Sequence, residues 1–247
     1  MAGHSKWSNI KHKKGRQDAI RGKIFSKYSK ALAIISLSFA LDRGSLPPSF
    51  TATAIALEYL ENMPNDNIER AIKKGAGELG GSNYEEITYE GYGPGGTAII
   101  VETLTDNKNR TAGDVRFIFD KNGGNLGTSG CVSFLFERKG QLMIEKNQNI
   151  NEDDLMMIAL EAGAEDFIVD EEGYEIITDP NDFSTLREIL EKEGISFVSA
   201  EVAMIPNTET SIGEEDMKKM KKMLDMFDDH DDIQEVYHNW DMPDDIE

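Results

Sequence analysis

Apolar residues recur every three or four positions from Asp18 onward, at Ile20, Ile24, Tyr28, Leu32, Ile35 and Phe39. That spacing predicts one amphipathic helix, with Lys23, Lys27 and Lys30 off its core stripe. Asp42-Arg43-Gly44 ends it, and Leu46-Pro47-Pro48-Ser49 is a stiff connector whose serine is placed to cap the next helix. A second helix over about 50–61 buries Phe50, Ala54, Leu57 and Leu60, and Met63-Pro64 stops it. Asp66 and Glu69 have capping-box spacing for a third helix that turns Ile68, Ala71 and Ile72 inward and closes at Gly75. These three short helices form a small helical domain, and the Gly- and Ser-containing stretch 75–83 is the linker after it.

From Tyr84 the period changes to two. Ile87 and Tyr89 alternate with Glu86, Thr88 and Glu90, and Gly91-Tyr92-Gly93-Pro94-Gly95-Gly96 turns the chain into a β-branched run over 97–104. A helix over 109–121 buries Val115, Ile118 and Phe119, and Asn122-Gly123-Gly124 closes it. The pattern then predicts a strand over 131–137 with Val132, Phe134 and Phe136 on one side, followed by a turn at Arg138-Lys139-Gly140. Next comes strand 141–146, helix 152–162, strands 166–170 and 174–178, helix 182–193 and strand 196–204. This βαββαβ order predicts a four-stranded antiparallel sheet covered by two helices. After Pro206 there remain one helix, with Met217, Met220, Leu224 and Phe227 inward, and one strand near 233–240.

That last pair has no sheet of its own, while the middle ββαβ segment lacks a second helix and a final strand. Placing the pair on the middle sheet satisfies both. The expected fold class is α+β: an N-terminal three-helix domain plus two ferredoxin-like, antiparallel α/β-sandwich domains, one inserted in the other. The expected boundaries are 1–78 for the basic arm and helical domain, 79–138 with 206–247 for the discontinuous domain, and 139–205 for the insert.

Charge changes the picture most at the N-terminus. The first thirty residues hold nine Lys and Arg (Lys6, Lys11, Lys13, Lys14, Arg16, Arg21, Lys23, Lys27, Lys30) against Asp18. They carry +8, so the remainder of a chain whose net charge is −20 carries −28. A basic end on an acidic body points to a polyanionic partner, and Trp7, Phe25 and Tyr28 among the cations offer rings on which bases stack. The alternative is a solvated basic tail. The single cysteine, Cys131, excludes an internal disulfide. The longest apolar stretch, 31–41, is broken by Ser36 and Ser38 and is too short to span a bilayer. With no apolar signal region either, a cytoplasmic location is expected.

Candidate chemistry is sparse. A phosphate-cradling glycine loop opens a helix, whereas 91–96 leads into a strand, so a hairpin turn is the better reading. Asn122-Gly123-Gly124-Asn125-Leu126-Gly127 is a helix stop and loop with room for a role its residues do not specify. His4, His12, His230 and His238 form two distant pairs, and no zinc, paired-cysteine or nucleophile-elbow signature is present. Asp228-Asp229-His230-Asp231-Asp232 lacks calcium-loop spacing and is expected to be a solvated acidic connector.

The opening Met1-Ala2-Gly3-His4-Ser5-Lys6-Trp7, with Ile10-Lys11-His12-Lys13-Lys14 and Arg21-Gly22-Lys23-Ile24-Phe25, resembles the start of the YebC/PmpR family. That family includes the mitochondrial translational activator of cytochrome oxidase I. The likeness continues through 62–75, 89–96, Thr105-Asp106-Asn107-Lys108-Asn109-Arg110-Thr111 and 122–127. The resemblance implies a three-domain cytoplasmic protein. It also implies either a DNA-binding transcriptional regulator or a ribosome-associated factor that relieves stalling. One departure stands out. Where the family begins its second helix Pro-Arg-Leu-Arg-Leu, this chain has Phe50-Thr51-Ala52-Thr53-Ala54, and the missing cations weaken the basic face of the helical domain.

The expected function is therefore a non-enzymatic nucleic-acid-binding regulator, in the ribosome-associated form first and the transcriptional form as the alternative. An enzyme with an unrecognised site is the remote third reading. Lys6, Lys11, Lys13, Lys14, Arg16, Arg21 and Lys23 are the expected phosphate contacts. Trp7 and His12 are candidates for stacking on bases, though Trp7 serves equally well to staple the arm to the helical domain. A metal, cofactor, membrane or small-molecule substrate is not expected. With no dimer logic in the pattern, a monomer is.

Overall fold

The structure is a computed structural model that describes residues 84–146 and 151–243. The basic arm and the three predicted helices lie outside the described residues. In chain order the elements are β1 (Glu85–Tyr92), β2 (Ala98–Thr105), α1 (Lys108–Lys121), β3 (Asn125–Leu126), β4 (Phe136–Glu145) and α2 (Glu152–Glu161). They continue with β5 (Ala164–Val169), β6 (Gly173–Thr178), α3 (Phe183–Lys192), β7 (Ser199–Pro206), α4 (Glu214–Asp228) and β8 (Ile233–His238). The fold is mixed α/β with two four-stranded sheets, ordered β3-β1-β2-β8 and β5-β6-β4-β7, and every neighbouring pair is antiparallel. The described residues fall into two compact units, 84–132 with 212–238 and 133–146 with 151–211 and 239–243.

In the first unit, a single 3-10 turn at Pro94–Gly96 joins β1 to β2, whose register runs from Glu85↔Thr105 to Tyr92↔Ala98. Ala98, Ile99, Ile100 and Val101 are all buried, so β2 is covered on both faces, as a continuous apolar run requires. The last strand in sequence, β8, pairs with β2 from Ile99↔His238 to Thr103↔Ile233. Val115, Ile118 and Phe119 of α1 are buried, as are Met220, Met223 and Phe227 of α4. The Phe119 and Phe227 rings meet edge to face, 5.4 Å between centroids. Met223 completes the buried α4 stripe with Met220 and Phe227, while Met217 and Leu224, expected inward, are half-buried at its edges.

The second unit has the βαββαβ order and the strand order of a ferredoxin-like sandwich. Leu142, Ile144, Tyr174 and Ile176 from the sheet pack on Leu155 and Ala159 of α2 and Phe183, Leu186 and Leu190 of α3. The Asn151 side chain accepts from the Asp153 and Asp154 N–H groups and so starts α2, and Gly163 and Gly194, both at positive φ, follow α2 and α3.

The segment 131–146 departs from the pattern. No strand begins at Cys131; residues 133–135 form a 3-10 turn, and Phe134 is 68% exposed. Nor is Arg138-Lys139-Gly140 a turn, since β4 runs straight through it, paired with β7 from Phe136↔Pro206 to Met143↔Ser199. Gly140 marks a close approach rather than a bend: a Cβ there would lie 2.7 Å from Thr178 Cγ2 and 2.8 Å from the Phe183 ring.

Candidate nucleic-acid interface

The sequence-predicted contacts Lys6, Trp7, Lys11, His12, Lys13, Lys14, Arg16, Arg21 and Lys23 lie outside the described residues. The motif blocks of 89–96, 105–111 and 122–127 lie within the first unit, and two buried carboxylates organise them.

Glu90 sits near the end of β1 with its carboxylate turned inward. Oε1 accepts from the Gly130 N–H at 2.8 Å and Oε2 from the Val132 N–H at 2.9 Å, while the Glu90 carbonyl accepts from the Gly127 N–H at 2.8 Å. The Tyr92 hydroxyl donates to the Cys131 carbonyl at 3.1 Å. Four bonds thus fold 127–132 back onto β1, which is why the chain turns here instead of extending as a strand. Gly91 lets that happen: a Cβ on it would lie 2.6 Å from the Asn125 carbonyl oxygen and 2.8 Å from Phe119 Cε1. Burial first, and then the Glu90 charge, push the Cys131 thiol up. It stays protonated at neutral pH, the opposite of what an activated nucleophile needs.

The second carboxylate is Asp232, 4% exposed and not a solvated connector residue as the acidic run suggested. Its Oδ2 accepts from Arg110 Nη2 at 2.7 Å, the Thr111 hydroxyl at 2.8 Å and the Thr105 hydroxyl at 3.2 Å. Its carbonyl accepts from the Leu104 N–H at 2.8 Å. Arg110 also reaches Asp106 at 2.9 Å, and the Asn107 side chain accepts from the Arg110 N–H and so caps α1. The Asp232 hydrogen bond first, and then that of Asp106, hold the Arg110 guanidinium above its ordinary pKa. Burial, and then the Asp232 charge, raise the Tyr89 phenol. His230 completes the cluster. Its Nδ1 accepts from the Asp232 N–H at 3.1 Å, so the proton sits on Nε2, which donates to Asp114 at 3.1 Å. The block 105–111 therefore locks the start of α1 to the segment that enters β8.

These anchors stand at opposite ends of the β1–β2 hairpin, since Thr105 pairs with Glu85 and Glu90 lies two residues from Tyr92↔Ala98. Between them α1 is fixed at both ends. Among the described residues no three His, Cys, Asp or Glu are placed to share a metal ion, and no helix is long and apolar enough to cross a membrane. Glu90 and Asp232 escaped the sequence reading because both alternate with, or sit among, other acids; the only signal was an acidic side chain inside an otherwise apolar strand boundary.

Replacing Glu90 with Gln turns one acceptor oxygen into an NH2 group that faces a backbone donor. The expected cost is about 2 kcal/mol, concentrated in the loop. Amide exchange at Gly130 and Val132 should accelerate while that of β6 stays unchanged; equal protection in both proteins would remove Glu90 from this role.

Residues 84–240 match the TACO1/YebC second and third domain, and residues 5–78 match the TACO1/YebC N-terminal domain. A probable transcriptional regulatory protein of Clostridioides difficile is 56% identical over 238 residues, covering 95% of this chain and 98% of that protein. One from Acetivibrio thermocellus is 55% identical over 244 residues, with 97% and 99% covered. The crystal structure of a conserved hypothetical protein from Aquifex aeolicus superposes with a TM-score of 0.76 at 43% identity, covering 93% of each chain. Matched along nearly its whole length in sequence and in fold, the chain belongs to the TACO1/YebC family.

Proposed function

We propose that the protein is a non-enzymatic, nucleic-acid-binding regulator of gene expression that grips its target through the basic N-terminal arm. The observation that carries this reading is the segregation of charge, +8 in the first thirty residues against −28 in the rest. Lys6, Lys11, Lys13, Lys14, Arg16, Arg21 and Lys23 pair with phosphates, and Trp7 and His12 stack on bases. The acidic body repels the same polyanion and keeps contact confined to the cationic surface.

The names of the relatives, probable transcriptional regulatory proteins, support duplex DNA as the target. A second reading, a ribosome-associated factor that relieves stalling, draws support from the arm's chemistry. Lysines act as point charges, and the helix start Phe50-Thr51-Ala52-Thr53-Ala54 carries no arginine for bidentate contact with guanine. Sedimentation of a cell lysate on a sucrose gradient, with and without nuclease, separates the two. The ribosomal reading expects nuclease-sensitive cosedimentation with ribosomes, abolished by Lys11, Lys13 and Lys14→Glu. The transcriptional reading expects absence from ribosomal fractions and a genomic site that outcompetes random duplex by about 10³ or more.

A further inference from the structure

In the second unit, α2 and α3 both pack on the sheet face that carries Leu142, Ile144, Tyr174 and Ile176. Side chains alternate along a strand and paired residues share a face, so Ile168, Glu175, Met143 and Ser199 form a row across the opposite face. Among the described residues of the unit, no helix lies on that face. Yet Met143 is 0% exposed and Glu175 4%, whereas a sheet face open to water leaves its side chains partly wet. The unit's own connections do not supply the cover. β4 leads on to α2 and β7 follows α3, both on the other face, and residues 239–243 are bonded to Thr210 and Ser211. Those two residues lie beyond Pro206, about 23 Å along β7 from the Ser199 row.

The face is acidic as well as partly apolar. Glu137, Glu145, Glu165, Asp166, Glu175 and Glu201 lie on it against Lys139, which meets Glu165 at 2.7 Å and Glu137 at 3.9 Å. A carboxylate as deep as Glu175, which accepts from the Gln141 amide at 2.7 Å, favours a cover that carries positive charge. Residues 1–16 have that composition: Lys6, Lys11, Lys13, Lys14 and Arg16 with no Asp or Glu, and Trp7 and Ile10 to lie against Met143 and Ile177. Extended, sixteen residues reach about 50 Å, more than enough to cross four strands.

We propose that the open face of the second unit's sheet holds the chain's own basic arm, residues 1–16, and that nucleic acid competes with this face for the same cations. The acidic face stands in for the polyanion, and docking lowers the arm's apparent affinity by the fraction of chains in which it is engaged. The competition rests on the arm being the nucleic-acid contact; the docking does not.

Methionine oxidation by dilute hydrogen peroxide, read residue by residue by mass spectrometry on the full chain, tests the docking without nucleic acid. Met157, 55% exposed, gives the rate of an open thioether. Met143 should oxidise at less than about a tenth of that rate in the parent, and at a comparable rate after Lys11, Lys13 and Lys14→Glu. Adding Glu145, Asp166 and Glu201→Lys to that variant should restore protection, because the charges again attract. Amide exchange at β6 should stay slow throughout; if it rises together with Met143 oxidation, the arm is a fixed part of the fold and the proposal falls. Met143 still protected in the arm variant overturns the arm as occupant. Protection that depends on protein concentration overturns it too, in favour of a second copy.

Competition has its own readout. Glu145→Gln, Asp166→Asn and Glu201→Gln together should tighten binding to a twenty-base-pair duplex, or to a single-stranded RNA of equal length, about tenfold. Glu161, Glu188 and Glu193→Gln, which remove as much charge from the two helices, should change it less than about twofold. Equal effects in the two variants would overturn the competition. If the arm variant frees Met143 but binds as the parent does, the arm falls as the nucleic-acid contact and the docking stands. If it loses binding while Met143 stays protected, the docking falls and the arm reading stands.

Discussion

A chain lacking residues 1–16 binds nucleic acid about a thousandfold more weakly than the full protein at 0.15 M salt. The truncation removes Lys6, Lys11, Lys13, Lys14 and Arg16 and takes the net charge from −20 to −25. Each phosphate contact on a single strand contributes roughly 0.7 to the salt slope, worth about 0.6 log units at that salt, so five contacts account for about three. The full protein, with about six contacts, should show a slope near −4 on single strands and near −5 on duplex. Both sheets lie beyond residue 84, so the circular dichroism of the truncated chain should retain their signal. Affinity that survives within tenfold, or a salt-independent interaction in the parent, would remove the arm as the main contact.

Regular elements could be read from the sequence because each buries one consistent face. Ile87 and Tyr89 alternating with acids predicted β1, and Val115, Ile118 and Phe119 predicted the inner face of α1. The counting argument, one helix and one strand without a sheet, points to the pairing of β8 with β2. The pattern failed where an individual contact outweighs periodicity. Val132, Phe134 and Phe136 alternate like a strand, yet Glu90 captures the Gly130 and Val132 N–H groups and the chain turns. Arg138-Lys139-Gly140 has turn composition, yet Gly140 is there because Phe183 and Thr178 press against its α-carbon.

Asp232 is the residue whose loss should damage the described fold most. Asp232→Ala takes the carboxylate acceptor from the Thr105 and Thr111 hydroxyls, both buried and left with only each other and Asn107 as partners, and takes the short ionic bond from Arg110. Arg110 is 48% exposed on its side chain and turns to water, so the greater part of the penalty comes from the two threonines and the lost packing. The sum is about 3 kcal/mol. Asp232→Asn keeps one acceptor oxygen and should lose about half as much. Asp106→Ala removes only the outer partner of Arg110, an exposed pair, and should lose less than about 0.5 kcal/mol. Because the chain holds two units, a single unfolding free energy mixes them, and local amide exchange is the sharper readout. Under Asp232→Ala the amides of α1 and β8 should lose protection together, since this carboxylate ties one to the other, while those of β4 and β6 keep theirs. Loss confined to α1, with β8 protected as in the parent, would mean that Asp232 only caps a helix and does not hold the last strand in place.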